Sequence, residues 1–456
     1  MPVENVDVVV LGLGVGGEDA AGRLAEAGLS VAGVEAELVG GECPYWACIP
    51  TKMMLRAADL IAETRRVPGM AGSSTVTPDW APVALRIREE ATTYWDDKIA
   101  VDRFTGKGGA FHRGRGRITA PGEVTVAASD GERVFRAGRG IVIATGSRPA
   151  VPPIPGLADT PYWTNRDAAR TETVPESLVV LGGGAVGCEL AQAFARFGAR
   201  VTIVEALDRL LPGDEPEAGA LLADVFTREG ITVRTGTAAA AVRHDDGGFT
   251  VDVGDTPVTG EKLLVATGRR ADLAPLGVDH VGLDPDARAI ATDDHLRAAP
   301  GVWALGDVTG RGQFTHMAVY QAGIVAADIL GADPHPAEYH AVPRVTFTDP
   351  EVGAVGRTEA QARDEGTDVR TGVAQVPSTA RGWIHKAGND GLIKIVAERA
   401  TGRIIGATSM GPWGGEVLSG LAVAVHAGVT ADRLAQMIYA YPTFHRGIED
   451  ALRDLH

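Results

Sequence analysis

The sequence has few cysteines, too little positive charge to balance its acids, and no long apolar run. Three cysteines among 456 residues fit a reducing compartment, and a chain of this length needs no disulfide to stabilise its core. The net charge of −16 argues against nucleic acid or an anionic membrane as a partner. No apolar run reaches the length of a membrane span, and residues 1–7 lack the basic region of a targeting signal. We therefore expect a soluble, cytoplasmic protein of about two to four domains.

Two of the three cysteines lie in one segment, Gly40 to Lys52, with the pattern Gly-Gly-x-Cys-x4-Cys-x-Pro-x-Lys. Pro44 suits the first turn of a helix, so Cys43 should lie near a helix N-terminus, where the dipole favours a thiolate. On an ideal helix the α-carbons of Cys43 and Cys48 would be roughly 8.5 Å apart, whereas a disulfide spans about 4.4 to 6.8 Å. A bond between them must distort the turn, and strained disulfides are the labile, catalytic kind.

Two other interpretations of this cysteine pair stay open, namely buried structural thiols or half of a metal site. A metal site needs more ligands than the segment offers, and the sequence has no second cysteine pair. We therefore predict a redox-active disulfide and no metal site. The third cysteine, Cys188, is predicted to be a small buried residue.

A glycine-rich turn follows the first predicted strand. Residues 6–11 are typical of a buried parallel strand, Gly12-Leu13-Gly14-Val15-Gly16-Gly17 comes next, and a helical pattern runs from Glu18 to Ala27. Such glycines let backbone N–H groups approach a pyrophosphate at a helix N-terminus. The next strand ends in Glu35, which is placed to accept a hydrogen bond from a ribose hydroxyl. The alternative is a glycine-rich turn that binds no ligand.

The same pattern recurs in the middle of the chain. A strand at Ser177–Leu181 leads into Gly182-Gly183-Gly184-Ala185-Val186-Gly187, then a helix and a strand that ends in Glu205. Two such segments imply two bound nucleotides or an internal duplication. Glu205 should bond a free 2′-hydroxyl and repel a 2′-phosphate, which favours NADH, although Arg209 nearby leaves NADPH use open.

The rest of the chain predicts scaffold elements and a third domain. Helical patterns cover Leu55–Arg66 and Val83–Arg103, and a strand at 302–305 precedes Asp307, which either holds a ribityl or ribose hydroxyl or caps a turn. From Arg344 onward, strands and two helices predict an α+β domain.

Taken in order, these motifs resemble the pyridine nucleotide-disulfide oxidoreductases, a family that includes dihydrolipoamide dehydrogenase, glutathione reductase and mercuric reductase. The resemblance covers essentially the whole chain. The matching pieces are Gly12 to Gly17 with Glu35, the two-cysteine segment, Ala144-Thr145-Gly146, Gly182 to Glu189, Ala266-Thr267-Gly268-Arg269, Gly306-Asp307 and Val345 to Glu351.

The resemblance implies an α/β fold with two Rossmann-like dinucleotide-binding domains, for FAD and NAD(P), and a C-terminal α+β dimerisation domain. The implied segments are 1–148 and 269–341 for FAD, 149–268 for NAD(P) and 342–456 for dimerisation. It also implies a homodimer whose active site is shared between the subunits.

Carried over by position, the resemblance implies roles for individual residues. FAD would be held by Gly12, Gly14, Gly17, Glu35, Gly116, Thr145, Gly146, Asp307 and Ala318, and NAD(P) by Gly182, Gly184, Gly187, Glu205 and Gly268. Lys52 would lie near the flavin ring, paired with Glu189. Cys48 would be the cysteine nearer the flavin, and Cys43 would exchange with a substrate sulfur through a mixed disulfide.

The sequence departs from this family at two places. Disulfide-reducing members carry His-Pro-Thr-x-x-Glu near the C-terminus, where this chain has Tyr441-Pro442-Thr443, and a tyrosine is a poor base at neutral pH. A helix from Phe444 onward would place His445 and Glu449 on one face as a displaced acid/base dyad, or as an incidental surface pair. The second departure is Tyr45 and Trp46 between the cysteines, for which packing is favoured over substrate contact.

The sequence thus predicts an FAD-dependent NAD(P)H oxidoreductase that reduces a small disulfide or oxidises a small dithiol. NADH is the expected donor. The main alternative is direct reduction of quinones or similar acceptors at the flavin, with the cysteines as an electron reservoir. A non-catalytic redox sensor or carrier is the third interpretation.

Overall fold

The computed structural model of the protein describes residues 3–254, 256–332 and 334–456. The chain divides into two compact units. The first unit comprises residues 1–50, 85–150 and 269–339, and the second comprises residues 51–84, 151–268 and 340–456.

A mainly parallel sheet forms the centre of the first unit. Its central strand, Val3–Leu11, pairs in parallel with Val31–Glu35 on one side and with Gly131–Ile143 on the other. The residues Val8–Val10 are fully buried and alternate between two apolar clusters, one on each face of the sheet. A continuous apolar run is typical of a parallel strand that is covered on both faces.

The other elements of the first unit surround this sheet. In spatial order the sheet contains Arg297–Ala299, Val302–Ala304, Gly131–Ile143, Val3–Leu11, Val31–Glu35 and Ala110–Arg113, with Arg115–Ala120 and Glu123–Ala128 as a meander beside Gly131–Ile143. A two-stranded ribbon pairs Arg148–Pro149 with Arg269–Arg270. The helical segments are Val15–Glu26, Glu42–Tyr45, Ile87–Ala91, Lys98–Gly106, Ala274–Leu276, Val278–Val281, Gly306–Thr309 and Thr315–Ile329. Two further helices, Cys48–Arg66 and Ala81–Arg86, each have some residues in the first unit and some in the second.

The continuous helix predicted over Val83–Arg103 is wrong. A short α-helix, Ala81–Arg86, passes into a π-helical turn at Ile87–Ala91, and the next α-helix begins only at Lys98. Between them, Thr93, Tyr94 and Trp95 have φ of 48°, 60° and 57°. A left-handed backbone cannot continue a right-handed helix, so the helical periodicity of the sequence is interrupted here.

The second unit contains one parallel sheet and two antiparallel sheets. A four-stranded parallel sheet contains Thr232–Arg234, Arg200–Val204, Ser177–Leu181 and Lys262–Val265, and a three-stranded antiparallel sheet contains Ala241–Asp245, Gly248–Asp252 and Val258–Gly260. The five-stranded antiparallel sheet contains Pro343–Thr346, Glu351–Gly356, Ile404–Gly411, Leu392–Glu398 and Val369–Gln375. The helical segments are Asn165–Arg170, Ala185–Arg196, Pro216–Arg228, Glu359–Asp364, Val376–Ser378, Ala380–His385, Gly414–His426, Ala431–Ala435 and Gly447–Arg453.

The predicted α/β fold with a C-terminal α+β region is confirmed by this element order. Each glycine turn follows a buried parallel strand and precedes a helix, as predicted. None of the helices in the described residues is both long enough and apolar enough to cross a membrane.

Candidate active site

The glycine turn of the first unit is built for close backbone approach. Gly12 has φ of 88°, and a Cβ there would lie 2.5 Å from the carbonyl oxygen of Ala144. A Cβ on Gly17 would lie 2.0 Å from the oxygen of Gly12. These two positions admit only glycine, because any side chain would collide with backbone that cannot move aside.

The second unit repeats these contacts at corresponding positions. A Cβ on Gly182, whose φ is 108°, would lie 2.4 Å from the carbonyl oxygen of Ala266, and one on Gly187 would lie 2.0 Å from the oxygen of Gly182. The strand ends that supply these oxygens continue into Gly146, with φ of 68°, and Gly268, with φ of 115°. The two glycine turns therefore make the same individual backbone contacts, as an internal duplication predicts.

Both turns leave room for a ligand at the start of a helix. Gly14 and Gly184 are the N-cap residues of helices Val15–Glu26 and Ala185–Arg196, and glycine has no side chain to cap the first amides. A Cβ on either would meet no atom within 4 Å. Exposed helix N–H groups facing open space suit a pyrophosphate, so both turns fit a dinucleotide.

The two strand-end glutamates brace these turns. Glu35 accepts hydrogen bonds from the amides of Leu13 at 2.8 Å and Glu37 at 2.7 Å. Glu205 accepts from the amides of Gly183 at 2.6 Å and Leu207 at 2.7 Å, which is the same arrangement. Burial is the main reason why the pKa of Glu35 is raised. Each carboxylate is thus fixed at the carboxyl end of its strand, where a ribose would lie.

The two active-site cysteine candidates lie on successive helices of the motif. Cys43 is in the short helix Glu42–Tyr45, directly after Gly41, and Cys48 begins the helix Cys48–Arg66. The helical path is interrupted between them at Trp46 and Ala47. The helix therefore does not run continuously from one cysteine to the other. A bond between Cys43 and Cys48 requires such an interruption, because a continuous helix would hold their α-carbons too far apart.

Cys48 is positioned by a residue far away in the sequence. Its Sγ lies 3.4 Å from Oγ1 of Thr315, the first residue of helix Thr315–Ile329. The same helix carries Ala318, against which a Cβ on Gly16 would lie at 2.8 Å. The helix beginning at Thr315 thus lies both against the two-cysteine motif and against the first glycine turn.

Asp307 belongs to a polar network in the first unit. It accepts a hydrogen bond from Ser147 Oγ at 2.6 Å and lies 4.0 Å from the guanidinium of Arg269. Arg269 also donates to Ser147 and lies 3.4 Å from Glu42, the residue before Cys43. Burial, the largest influence, raises the pKa of Asp307. The Asp307 carboxylate is therefore held in place by Ser147 and Arg269.

Gly116 and Thr145 complete the predicted FAD set and lie on elements of the first unit. Gly116 is in the strand Arg115–Ala120, where a Cβ would lie 2.4 Å from Leu11. Thr145 follows the strand Gly131–Ile143 and is exposed.

The structure pairs Lys52 with Glu189 in the second unit. Lys52 Nζ lies 2.8 Å and 3.1 Å from the two carboxylate oxygens of Glu189, which is 4% exposed. Glu189 also accepts from the amide of Phe347 at 2.8 Å, and Lys52 lies 4.6 Å from the centre of the Phe347 ring. The lysine is therefore held by charge and by the aromatic face together.

The displaced dyad predicted at His445 and Glu449 is not formed. The helix begins at Gly447, and hydrogen bonds that span three residues close the turn before it, so His445 and Glu449 do not share a helical face. Glu449 instead pairs with Arg446 at 3.1 Å and with Arg453. The His445 ring packs against Tyr439, with centroids 6.0 Å apart.

Tyr441 lies at the exposed end of this segment. Its side chain is 69% exposed, and the guanidinium of Arg446 lies 5.3 Å from its ring centre.

Cys188 is fully buried, and its thiol donates to the carbonyl of Gly183 at 3.2 Å. Burial raises the pKa of that thiol. The prediction that Cys188 is a small buried residue is confirmed.

Sequence reasoning missed several residues of these networks. Thr315 and Ser147 gave no signal of a role, because a threonine at a helix start and a serine after Thr-Gly are common. Arg269 and Phe347 fall inside matched motifs, which was the only signal for them.

A comparison with known protein families decides what these features belong to. The model of the family described as pyridine nucleotide-disulphide oxidoreductase matches residues 6–322, and that of its dimerisation domain matches residues 342–452. The chain belongs to this family. Members of the pyridine nucleotide-disulphide oxidoreductase family are FAD-dependent and take NAD(P)H as electron donor.

Relatives within the family carry different activities. The chain is 34% identical to a mercuric reductase of Acidithiobacillus ferrooxidans, over 98% of this chain and 82% of the relative. It is also 34% identical to a dihydrolipoyl dehydrogenase of Chlorobaculum tepidum, over 98% of this chain and 96% of the relative. These names differ in substrate, so family membership leaves the substrate of this chain open.

Solved structures support the same family. The Cu(II) complex of the HOCl-induced flavoprotein disulfide reductase RclA from Escherichia coli matches with a TM-score of 0.87 and 25% identity, covering 99% of each chain. LpdA from Mycobacterium tuberculosis matches with a TM-score of 0.86 and 26% identity, again over 99% of each chain.

Proposed function

We propose that this family member uses NADH to reduce a small disulfide or, in reverse, oxidises a small dithiol with NAD⁺ as the acceptor, with Cys43 and Cys48 as its redox pair. The observation that carries the proposal is the position of the two cysteines. Cys43 lies in the first turn of one helix and Cys48 begins the next, with its sulfur held 3.4 Å from the Thr315 hydroxyl.

The cysteine pair performs the proposed exchange as a dithiol. Cys43 ionises, and its thiolate attacks one substrate sulfur, which breaks the substrate S–S bond, forms a mixed disulfide and releases the first product as a thiolate that takes up the proton given up by Cys43. Cys48 then attacks the sulfur of Cys43, which releases the second thiol and forms the Cys43–Cys48 disulfide. The substrate gains two electrons and the two thiol protons, and the protein pair loses them.

The cofactors fit the two glycine turns described above. Gly12, Gly14, Gly17 and Glu35 would hold the FAD diphosphate and ribose, and Gly182, Gly184, Gly187 and Glu205 would hold NADH. FAD, when bound, supplies two-electron transfer between the nicotinamide and the cysteine pair. Asp307 and Ala318 would bind the rest of FAD, and the Lys52–Glu189 pair would tune its charge environment.

The proposal includes a homodimer built by the dimerisation domain, with the active site shared between subunits. The domain segments proposed for it are 1–148 and 269–341 for FAD, 149–268 for NAD(P) and 342–456 for dimerisation. With the His445–Glu449 dyad absent, Tyr441 is the proposed residue that contacts the substrate from the C-terminal segment. Its exposure leaves it available for that contact.

Direct reduction of quinones or other acceptors at the flavin is the second candidate. Tyr441 favours it, because it stands where disulfide-reducing members of the family have their acid/base histidine, and a tyrosine is a poor base near neutrality. Metal ions form a third group of acceptors to test, since the relatives include mercuric reductases and the RclA match is a Cu(II) complex.

A substrate screen tests the proposal. Holoenzyme is supplied with NADH and, in separate reactions, with small disulfides, quinones, Cu(II) or Hg(II), and with dithiols plus NAD⁺ for the reverse direction. We expect disulfide or dithiol turnover that is lost in Cys43→Ser. Turnover of quinones alone, unchanged in that variant, would replace the proposal with the second candidate.

Preference for NADH over NADPH is a further expectation. The Glu205 carboxylate is fixed at the strand end by two amides, and the Arg209 guanidinium is engaged by its own loop, through Pro212 at 2.9 Å and Asp208 at 3.3 Å. The carboxylate should repel a 2′-phosphate, so kcat/KM should favour NADH by at least about tenfold. Glu205→Gln, which removes only the charge, should narrow that ratio. A higher kcat/KM for NADPH with the wild type would contradict the assignment.

A further inference from the structure

The proposed function makes no use of the bulky residues between the cysteines. Tyr45 and Trp46 are 6% and 5% exposed, so both are packing residues rather than substrate contacts. The amides of Trp46 and Ala47 both donate to the carbonyl of Glu42, at 2.8 Å and 2.9 Å. These two bonds close the turn that separates Cys43 from Cys48.

The Trp46 side chain is stacked on a second indole. The ring centroids of Trp46 and Trp95 lie 5.8 Å apart with an angle of 19° between the planes. Both residues belong to the first unit. The turn between the cysteines is thus covered by an aromatic pair whose other half comes from residues about 50 positions later in the chain.

Trp95 is presented by an unusual backbone. Thr93, Tyr94 and Trp95 all have φ between 48° and 60°, and the π-helical turn Ile87–Ala91 precedes them. L-residues disfavour this conformation, which persists only where the surrounding structure determines it, and both features collect at functional sites.

The side chains of Tyr94 and Trp95 differ in their packing. The Tyr94 amide donates to the carbonyl of Arg88 at 2.6 Å and its hydroxyl to Glu89 at 2.8 Å, but its side chain is 62% exposed. The left-handed run therefore serves to place Trp95 against Trp46, because the packed side chain at its end is the indole of Trp95.

We propose that Trp95 is a positioning residue for the cysteine pair. The stack is present with Cys43 and Cys48 as free thiols. By holding the turn between them in one conformation, it reduces the conformational entropy that the dithiol loses when it closes, which raises the effective concentration of each sulfur near the other and favours the disulfide. The inference rests on the proposed function, since it requires that the two cysteines form a redox couple.

The test measures the redox equilibrium of the pair directly. FAD-loaded holoenzyme is equilibrated without oxygen in mixtures of reduced and oxidised dithiothreitol, quenched with acid and alkylated, and the thiols of the two-cysteine peptide are counted by mass spectrometry. In the exchange the protein disulfide gains two electrons and two protons, and dithiothreitol loses them to become its cyclic disulfide. Trp95→Ala, Trp95→Leu and Trp95→Phe are compared with Thr93→Gly, which alters the same left-handed run but keeps both indoles.

We expect the equilibrium constant for reduction of the protein disulfide to rise about tenfold in Trp95→Ala and Trp95→Leu, equivalent to ~30 mV for a two-electron couple. Trp95→Phe keeps an aromatic face and Thr93→Gly keeps the stack, so both should stay within about twofold of wild type. If Trp95→Ala does not fold, the comparison of Trp95→Leu with Trp95→Phe still tests the inference.

Three results would overturn the inference. An unshifted equilibrium in Trp95→Ala and Trp95→Leu would remove the role of Trp95. A shift in Trp95→Phe equal to theirs would show that a stacked aromatic face is not what holds the turn, and an equal shift in Thr93→Gly would assign the effect to the backbone of the left-handed run. A wild type with no titrating couple would overturn the proposed function as well, whereas a titrating wild type with unshifted variants overturns only this inference.

Discussion

Replacing either Cys43 or Cys48 by serine should lower disulfide reductase turnover by at least about 10³-fold, because a hydroxyl does not replace a thiolate as nucleophile at neutral pH. In the proposed function, reduction of the enzyme by NADH and transfer to a quinone would not require the pair. Those rates should therefore stay within about threefold of wild type in both variants. Steady-state NADH oxidation with a disulfide and, separately, with a quinone measures the two activities.

The third cysteine supplies a matched control for these variants. Cys188 is fully buried and its thiol bonds a backbone carbonyl, so Cys188→Ala removes a thiol without touching the motif. Both activities of Cys188→Ala should match wild type. Equal loss of the two activities in Cys43→Ser and Cys48→Ser would show that the cysteines support the fold, and would refute their assignment as a redox pair.

Replacing Arg196 by methionine should lower the free energy of unfolding by about 3 kcal/mol, near the lower end of the range for breaking a buried ion pair. The Arg196 side chain is 2% exposed and lies within 2.7 Å of the carboxylates of Asp59, Glu229 and Asp349. Those carboxylates are partly exposed, so water partly compensates for the lost cation. Chemical denaturation followed by circular dichroism measures the change.

Arg228→Met is the matched control for this stability experiment. Its guanidinium lies 2.6 Å from Asp390, but the two side chains are 55% and 36% exposed. Exposed ion pairs contribute about 0 to 1 kcal/mol. If Arg196→Met lowers the free energy of unfolding no more than Arg228→Met does, the buried network does not stabilise the fold more than an exposed ion pair.

The loss in Arg196→Met should also depend on pH. Burial, opposed by Arg196, raises the pKa of Asp59 to about 6, above its unfolded value of 3.8. The ionised form is thus disfavoured in the fold, and the contribution of this group to stability falls as pH rises from about 4 to 6. Without Arg196 the pKa of Asp59 should rise further, so protonation at pH 5 spares part of the cost. The destabilisation should be larger at pH 8 than at pH 5.

Local features of the fold could be predicted because their physical requirements are local. The turns at Gly12 and Gly182 need a positive φ and close backbone contact, which only glycine tolerates, so the sequence marks them directly. The strand Val3–Leu11 could be recognised because a strand buried on both faces must be apolar throughout. The pairing of Lys52 with Glu189, by contrast, came from the family resemblance.

Two local predictions failed where helical pattern and tertiary contacts disagreed. The Thr-Thr-Tyr-Trp run at 92–95 has low helix propensity, and the stack of Trp95 on Trp46 supports a left-handed turn in its place. Near the C-terminus, the helix starts at Gly447 rather than Phe444, and Arg446 and Arg453 take the carboxylate of Glu449.

The sequence by itself determined the two nucleotide turns, the order of the elements and the placement of Cys43 at the start of a helix, since each depends on residues within about 20 positions of one another. Only the tertiary structure decided which residues complete the site. Thr315 reaches Cys48 across 267 positions, and Trp95 reaches Trp46 from a separate segment. Neither contact leaves a periodic or spaced pattern in the sequence, because packing between distant segments depends on where the sheet and helices bring them together.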